Sequence, residues 1–290
     1  MSAVAASARP SAGRTAFRRP RISTIYAWEV RKLIAQKRTY LGLGAAIAVP
    51  LIFIGALAIN SNGGPDDVPF GRYVRETGLA IPLVGLFFGS IWLFPLITAL
   101  VGGDIFATED NHGTLKTILT RSVDRQQIFA AKVLASASYA TLALVLFVLT
   151  GTIVGGLIWG FNPVTLLTGT RVSAGRGLVL LAAATGAYLL PVLGVTGIAL
   201  LLSALTRNSA GAVVGTLMLS LLMQLLGAVA ALNFLDPYLL STQFNAWQGL
   251  LRDPADWAPV VRAAWVSAAY GLPCLAAAFL IFLRRDVAGG

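Results

Sequence analysis

The segment GGDIFATEDNHGTLKTILTRSVDRQQIFAAK, residues 102–132, carries eight charged side chains, yet a long uncharged apolar run lies on each side of it. The two runs cover residues 79–103 and 133–161. Each is longer than the roughly 20 residues that an α-helix needs to cross the hydrocarbon core of a bilayer. The contrast predicts two membrane-spanning helices joined by a short polar connection with helical character.

Four more uncharged runs predict further spanning helices, and they cover residues 39–60, 178–206, 209–235 and 263–283. The composition agrees, because 57% of the residues are hydrophobic and only 12% are charged, against about 25% charged in soluble domains. The runs lack the period-two alternation of barrel strands, and helices satisfy their own backbone groups in lipid. The sequence therefore predicts an all-α integral membrane protein with one six-span transmembrane domain over residues 39–283.

The placement of basic residues predicts the orientation of the spans. With six spans, sixteen Lys and Arg residues lie on the side of the N-terminus and six on the other side, whereas the acidic residues divide equally. Cytoplasmic connections carry the excess of Lys and Arg in membrane proteins. We therefore expect an N-in, C-in, multi-pass protein of the plasma membrane with both termini cytoplasmic. Because the charges flank the spans, the expected electrostatic partners are anionic membrane lipids, and not nucleic acid.

The segments outside the spans have distinct compositions. Residues 1–23 read as a disordered basic tail, residues 284–290 as a cytoplasmic tail, and residues 236–262 as an outer, partly helical segment with Trp247 and Trp257 at headgroup depth. Residues 24–38 predict an amphipathic helix in the inner membrane interface, with the polar residues Glu29 and Lys32 away from its apolar stripe. That stripe contains Tyr26, Val30, Leu33 and Ile34. The alternative is a helical extension of the first span into water.

Several kinds of chemistry have no motif in this chain. It has no G-x-x-x-x-G-K-[ST] loop to hold nucleotide phosphates and no cluster of Cys and His, and His112 is its single histidine. The six runs contain no ionisable residue, although ion-coupled carriers keep one at membrane depth, which argues against a secondary transporter. We therefore expect no enzymatic activity and no cofactor in this chain. Any energy for uphill transport would come from another subunit.

The polar connection has the features of a surface on which such a subunit could dock. Within the expected coupling segment, residues 104–127, Leu115, Ile118 and Leu119 form one apolar edge at spacings of three and four residues. Polar residues able to cap a helix precede this edge. Two interpretations remain open from the residues alone: a docking helix, or a solvated inner loop with one helical turn.

The order of residues in this connection resembles the inner-loop signature of the type two ABC exporter permeases. The matching residues are Glu109, Gly113, Thr114, Leu115 and Lys116, then Leu119, Val123, Arg125 and Lys132. The sequence departs from the family pattern at two positions. Ser122 lies where the family often has Pro, and Asp124 lies where Ser is common. The interfacial helix, the six spans and the long last outer connection extend the resemblance over most of the chain.

The resemblance implies the membrane subunit of an ATP-driven exporter. Such permeases pair, often as identical copies, and each docks through a coupling helix on a cytoplasmic ABC ATPase subunit that binds ATP and Mg²⁺. The expected docking residues are Glu109, Gly113, Thr114, Leu115, Lys116, Ile118, Leu119 and Arg125. The competing hypothesis is an ATP-independent membrane protein, such as a lipid scramblase or a scaffold.

Overall fold

The structure, a computed structural model, describes residues 21–59, 65, 67–108 and 124–284. Its helices are α1 (Ile22–Ile34), α2 (Lys37–Ile59), α3 (Ala80–Gly89), α4 (Leu93–Gly102), α5 (Arg125–Trp159), α6 (Ala174–Thr206), α7 (Ser209–Ala228), α8 (Leu240–Gln243) and α9 (Ala258–Leu283). Short 3₁₀ helices cover Gly71–Tyr73, Ala230–Tyr238 and Ala246–Leu251. Strands β1 (Val164–Thr165) and β2 (Arg171–Val172) form one antiparallel hairpin.

Five helices, α2, α5, α6, α7 and α9, are long and apolar enough to cross a membrane, and the bent pair α3 and α4 makes a sixth if it is one span. The described part of the chain therefore has the helices of an all-α, multi-pass membrane protein. Most helices lie within a few residues of the predicted runs. Two differ: α5 begins at Arg125, eight residues before the run, and the helix predicted over residues 209–235 ends at Ala228.

The predicted span over residues 79–103 is not continuous, because α3 and α4 meet at an angle of 62°. Pro95 has no N–H, so the carbonyl of Ile91 would lack its helical donor, and Trp92 leaves the helical conformation. Two other carbonyls beside the break accept hydrogen bonds from side chains of neighbouring helices. Tyr188 donates to the Leu86 carbonyl at 3.0 Å, and Gln224 donates to the Ser90 carbonyl at 3.3 Å. Such partners are what allow a helix to break at membrane depth.

An aromatic cluster beside this break forms the centre of the core. The ring of Phe94 makes edge-to-face contacts with Phe147 on α5, at 5.4 Å, and with Tyr188 on α6, at 5.1 Å. Tyr188 also contacts Phe244, which follows α8. Among the five long helices that could cross a membrane, α6 is the most enclosed, with 61% of its most apolar window buried. It passes α9 so closely that a side chain at Gly197 would lie 3.0 Å from the Cα atom of Gly271.

Three connections pack together at one end of the bundle, which we call the capped end: residues 67–79, 160–173 and 229–257. Backbone hydrogen bonds join the first two, from Gly78 to Gly160, and the last two, from Leu167 to Leu251. Trp247 is fully buried there and stacks on Phe70 at 6.2 Å, whereas Trp257 is 60% exposed. Trp247 therefore packs inside the protein, where the neighbouring connections cover it, and the depth of the two Trp rings in a membrane stays a prediction.

Candidate functional site

The opposite end of the bundle, which we call the α1 end, carries α1 and residues 103–108. Helix α1 packs against α5 and α2, and its buried residues are Ile25, Glu29 and Leu33. Of the predicted apolar stripe, Leu33 is buried, Tyr26 and Val30 are half-buried, and Ile34 is 54% exposed. The buried face is thus rotated towards Glu29, a residue that the periodicity assigned to the polar side. The reason lies on α5.

Glu29 is buried because Lys132 of α5 neutralises it. The Lys132 ammonium lies 3.1 Å from Glu29 Oε2, and the two side chains are only 1% and 6% exposed. Lys132 also donates to the Ile105 carbonyl at 3.3 Å, and its nitrogen lies 5.9 Å from the centre of the Phe106 ring. The half-exposed Lys32 pairs with the other oxygen of Glu29 at 3.0 Å. A buried charge is tolerated when it is paired and hydrogen-bonded in this way.

A second ion pair links α2 to residues 103–108. Arg38, near the start of α2, pairs with Oδ1 of Asp104, whose side chain is only 2% exposed. Arg38 also donates to Ser209 Oγ, the first residue of α7, at 3.0 Å, and Thr108 donates to the same carboxylate oxygen of Asp104. One guanidinium therefore ties the end of the bent span to two other helices.

The backbone of residues 103–108 is also held by α6. The hydroxyl oxygen of Ser203, which is fully buried, accepts hydrogen bonds from the N–H groups of Phe106 and Ala107 at 3.2 Å and 3.1 Å. Gly103 fits closely, since a side chain there would lie 2.6 Å from the carbonyl oxygen of Ala99. Residues 103–108 are thus fixed by side chains from α2, α5 and α6. We call these six residues the anchor segment.

An aromatic cluster joins the anchor segment to the beginning of α5 and the end of α9. The Phe106 ring stacks on Phe129 at 5.6 Å and contacts Phe282 at 5.5 Å, and Phe129 also contacts Phe279 at 5.1 Å. On the far side of residues 109–123, Arg125 donates to the Leu283 carbonyl at 2.9 Å, in the last turn of α9. Both chain ends that border residues 109–123 are therefore attached to the helical bundle.

The predicted docking residues fall on both sides of the boundary of the described structure. Arg125 is described and holds the end of α9. The other seven lie outside the described residues: Glu109, Gly113, Thr114, Leu115, Lys116, Ile118 and Leu119. Within the described ranges, no group of three or more His, Cys, Asp or Glu residues is placed to hold a metal ion. The described contacts at the α1 end are salt bridges, hydrogen bonds and aromatic contacts.

The two ion pairs were not among the sequence predictions, although a signal for them exists. Three charged residues lie immediately next to the end of an apolar run: Arg38, Asp104 and Lys132. The adjoining run ends are residues 39, 103 and 133. A charge at such a boundary is usually taken to be solvated. Three such charges at the same end of the bundle could have indicated that they pair with residues of opposite sign. The sequence does not show, however, that Lys132 meets Glu29, which lies 103 residues earlier in the chain.

Comparison with known proteins places the chain in a family. No curated protein matches it. A family model described as a protein of unknown function, DUF2705, matches residues 48–288. The match covers most of α2 and every later helix, so it includes the anchor segment, Lys132 and Ser203. The chain belongs to the DUF2705 family.

Proposed function

We propose that this chain is the transmembrane permease subunit of an ATP-driven ABC exporter, which forms the substrate path and couples to a separate ATP-binding subunit. The observation that carries the proposal is the attachment of both borders of residues 109–123 to the bundle. The anchor segment holds one border through Asp104, Phe106 and Ala107, and Arg125 holds the other. The resemblance of residues 109–125 to a coupling helix supports the same function.

The contacts at the α1 end are suited to transmitting a displacement. Residues 109–123 are short, and a movement of this segment would pull on the anchor segment. The anchor segment contacts α5 through Lys132, α2 through Arg38 and α6 through Ser203. Buried, paired groups of this kind resist separation, because removing one partner leaves an uncompensated buried charge or dipole. A pull by an ATPase would therefore be passed to several helices together.

The bent span supplies an element that could respond. Its inner half, α4, runs from the break at residues 90–92 directly to the anchor segment. The break is held by hydrogen bonds from side chains of α6 and α7. Such side-chain bonds can exchange partners more readily than the backbone hydrogen bonds of a continuous helix. In this proposal α4 acts as a lever between the docking segment and the middle of the bilayer.

Orientation and assembly follow from the same proposal. The α1 end faces the cytoplasm, both termini are cytoplasmic, and the bent pair counts as one of six spans in the plasma membrane. ATP and Mg²⁺ bind to the partner subunit. A second copy of the permease completes the transporter, since closed twofold pairs are the commonest symmetric assembly. Export is the direction that the family resemblance implies.

A co-purification experiment tests the function. The chain is co-expressed with the genes that neighbour its own, purified in mild detergent and reconstituted in nanodiscs. We expect an ATP-binding subunit to co-purify in equal amount, and the particle mass to correspond to two copies of each subunit. Recovery of the membrane protein without any nucleotide-binding subunit, from membranes in which that subunit is present, would favour the ATP-independent alternative.

A further inference from the structure

A small cavity lies beside the break in the bent span, between α4, α6, α7 and α8. The space open to a water molecule in it is 10 Å³. One bound water needs about 10–15 Å³ by this measure. The cavity is therefore matched in size to a single water molecule.

The walls of this cavity, which we call the break cavity, are apolar except at four side chains: Ser90, Ser220, Gln224 and Ser241. The first lies at the break, the next two lie one turn apart on α7, and the last lies on α8. The end of α7 packs against the same short helix, since a side chain at Gly227 would lie 3.8 Å from Thr242 Oγ1. The polar groups of three elements thus converge on one small space.

Two of these polar groups lack a partner within the described part of the chain. Ser90 donates to the Phe87 carbonyl at 2.7 Å, and the Gln224 amide donates to the Ser90 carbonyl at 3.3 Å. The hydroxyl groups of Ser220 and Ser241, in contrast, make no hydrogen bond with the residues that the structure describes. Ser220 lies within the apolar run over residues 209–235, and at membrane depth a polar group without a partner is costly. Both hydroxyl groups therefore call for a small polar ligand.

We infer that the break cavity binds one water molecule, which joins the hydroxyl groups of Ser220 and Ser241 and the amide oxygen of Gln224. A buried water typically makes about three hydrogen bonds, and these three groups supply that number. Gln224 connects the water to the break, because its amide nitrogen donates to the Ser90 carbonyl. The water would thus fix α7 to α8 beside the break. The inference needs no ATPase partner.

Radiolytic labelling of the chain alone in nanodiscs tests for the water. A short X-ray exposure converts bound water into hydroxyl radicals, which label the nearest side chains. Phe244 lines the break cavity and is only 2% exposed, whereas Phe147 is 1% exposed and does not line it. We expect labelling of Phe244 and none of Phe147. In the double variant Ser220→Ala with Ser241→Ala, the labelling of Phe244 should be lost, because an apolar cavity stays dry.

The unfolding temperatures of the single and double variants test whether one water joins the two hydroxyl groups. Each single variant should lower this temperature by about 2–4 °C, as expected for one lost hydrogen bond. The double variant should lower it no further than either single variant, because removal of one partner already releases the shared water. The matched control combines Ser220→Ala with Ser203→Ala, a variant at the α1 end, and here the two shifts should add in full.

Three outcomes would overturn the inference: Phe244 is not labelled in the unaltered chain, the two serine variants of the break cavity have no effect on the unfolding temperature, or their shifts add. Because the chain is studied without an ATPase, each outcome is independent of the co-purification experiment.

Discussion

The Lys132 ammonium and the Glu29 carboxylate lie 3.1 Å apart where α5 contacts α1, and each side chain is at most 6% exposed. This pair explains why a helix with the composition of an interfacial anchor is attached to the protein along its Glu29 face. Removing two opposite charges from water is costly unless they meet with good geometry and further hydrogen bonds. Lys132 has such a bond to the Ile105 carbonyl, and Glu29 has one from Lys32.

The first prediction concerns this pair. Lys132→Met keeps the length of the side chain but leaves Glu29 buried without its main partner, and we expect a loss of stability of about 3–5 kcal/mol. The matched control is Lys32→Met, which removes a half-exposed partner of the same carboxylate and should cost about 1 kcal/mol or less. Thermal unfolding in nanodiscs and the rate of chymotryptic cleavage within α1, whose sites neither variant alters, measure the effect.

A double variant separates the charge from the packing. Replacing both partners, in Glu29→Leu with Lys132→Met, removes the unpaired charge and should recover most of the lost stability. If Lys132→Met unfolds at the same temperature as the unaltered protein, the ion pair does not hold α1 in place.

A second prediction addresses Ser203, which accepts two backbone hydrogen bonds from the anchor segment. Ser203→Ala leaves the N–H groups of Phe106 and Ala107 buried without an acceptor and should cost about 1–3 kcal/mol. Ser136→Ala is the matched control, because Ser136 is equally buried on α5 but its hydroxyl makes no hydrogen bond with the residues that the structure describes. We expect unfolding temperature and ATP-driven transport to fall in the first variant only. Equal behaviour of the two serine variants would contradict this role.

A third prediction concerns the break between α3 and α4. Tyr188→Phe removes the hydroxyl that bonds the Leu86 carbonyl while it preserves the aromatic contacts with Phe94 and Phe244. The unpaired carbonyl should lower the stability by about 1–3 kcal/mol. Tyr238→Phe, at an exposed tyrosine of the capped end, should change it by less than about 0.5 kcal/mol. The unfolding temperatures of both variants in nanodiscs provide the measurement, and a stable Tyr188→Phe would show that the break needs no such donor.

The spans could be predicted from the sequence because their length and apolar character are local properties. The start of α6 lies within four residues of the predicted run, and the start of α7 coincides with it. The break at residues 90–92 does not follow from the length and lack of charge of the run over residues 79–103. Pro95 predicts a local distortion of the helix. How the chain bends there also depends on donors to the carbonyls of Leu86 and Ser90, and these donors, Tyr188 and Gln224, lie 102 and 134 residues further along the chain.

The same distinction applies to the candidate site. Periodicity assigned Tyr26, Val30, Leu33 and Ile34 to one face of α1, and this assignment considers the helix on its own. The face that is buried depends on which partner the fold supplies, and Lys132 is 103 residues further along the chain. Pairing between Asp104 and Arg38 depends in the same way on the packing of α4 against α2. The position of these charges beside the apolar runs is a local pattern, but the choice of partner is not.

The last prediction tests the coupling of residues 109–123 to an ATPase. Leu115→Asp places a charge on the predicted apolar edge, and burying it in a partner cleft should cost several kcal/mol of docking. Glu109→Ala should act more mildly, through loss of a charge-assisted hydrogen bond worth about 1.5–3 kcal/mol. Both residues lie outside the described residues, so the expectation comes from the sequence. We expect normal membrane insertion with substrate-stimulated ATPase activity lost in Leu115→Asp and reduced in Glu109→Ala.

The matched control is Leu167→Asp, which adds the same charge to a connection at the capped end, where Leu167 is 38% exposed. In the orientation proposed above, this residue faces away from the cytoplasm, so the variant should keep its stimulated ATPase activity. The measurement compares the ATPase rate of the reconstituted complex with the yield of correctly sized membrane protein. If Leu115→Asp retains both the ATPase subunit and stimulated hydrolysis, residues 109–123 form only a solvated loop. The ionic network at the α1 end would then serve the stability of the bundle alone.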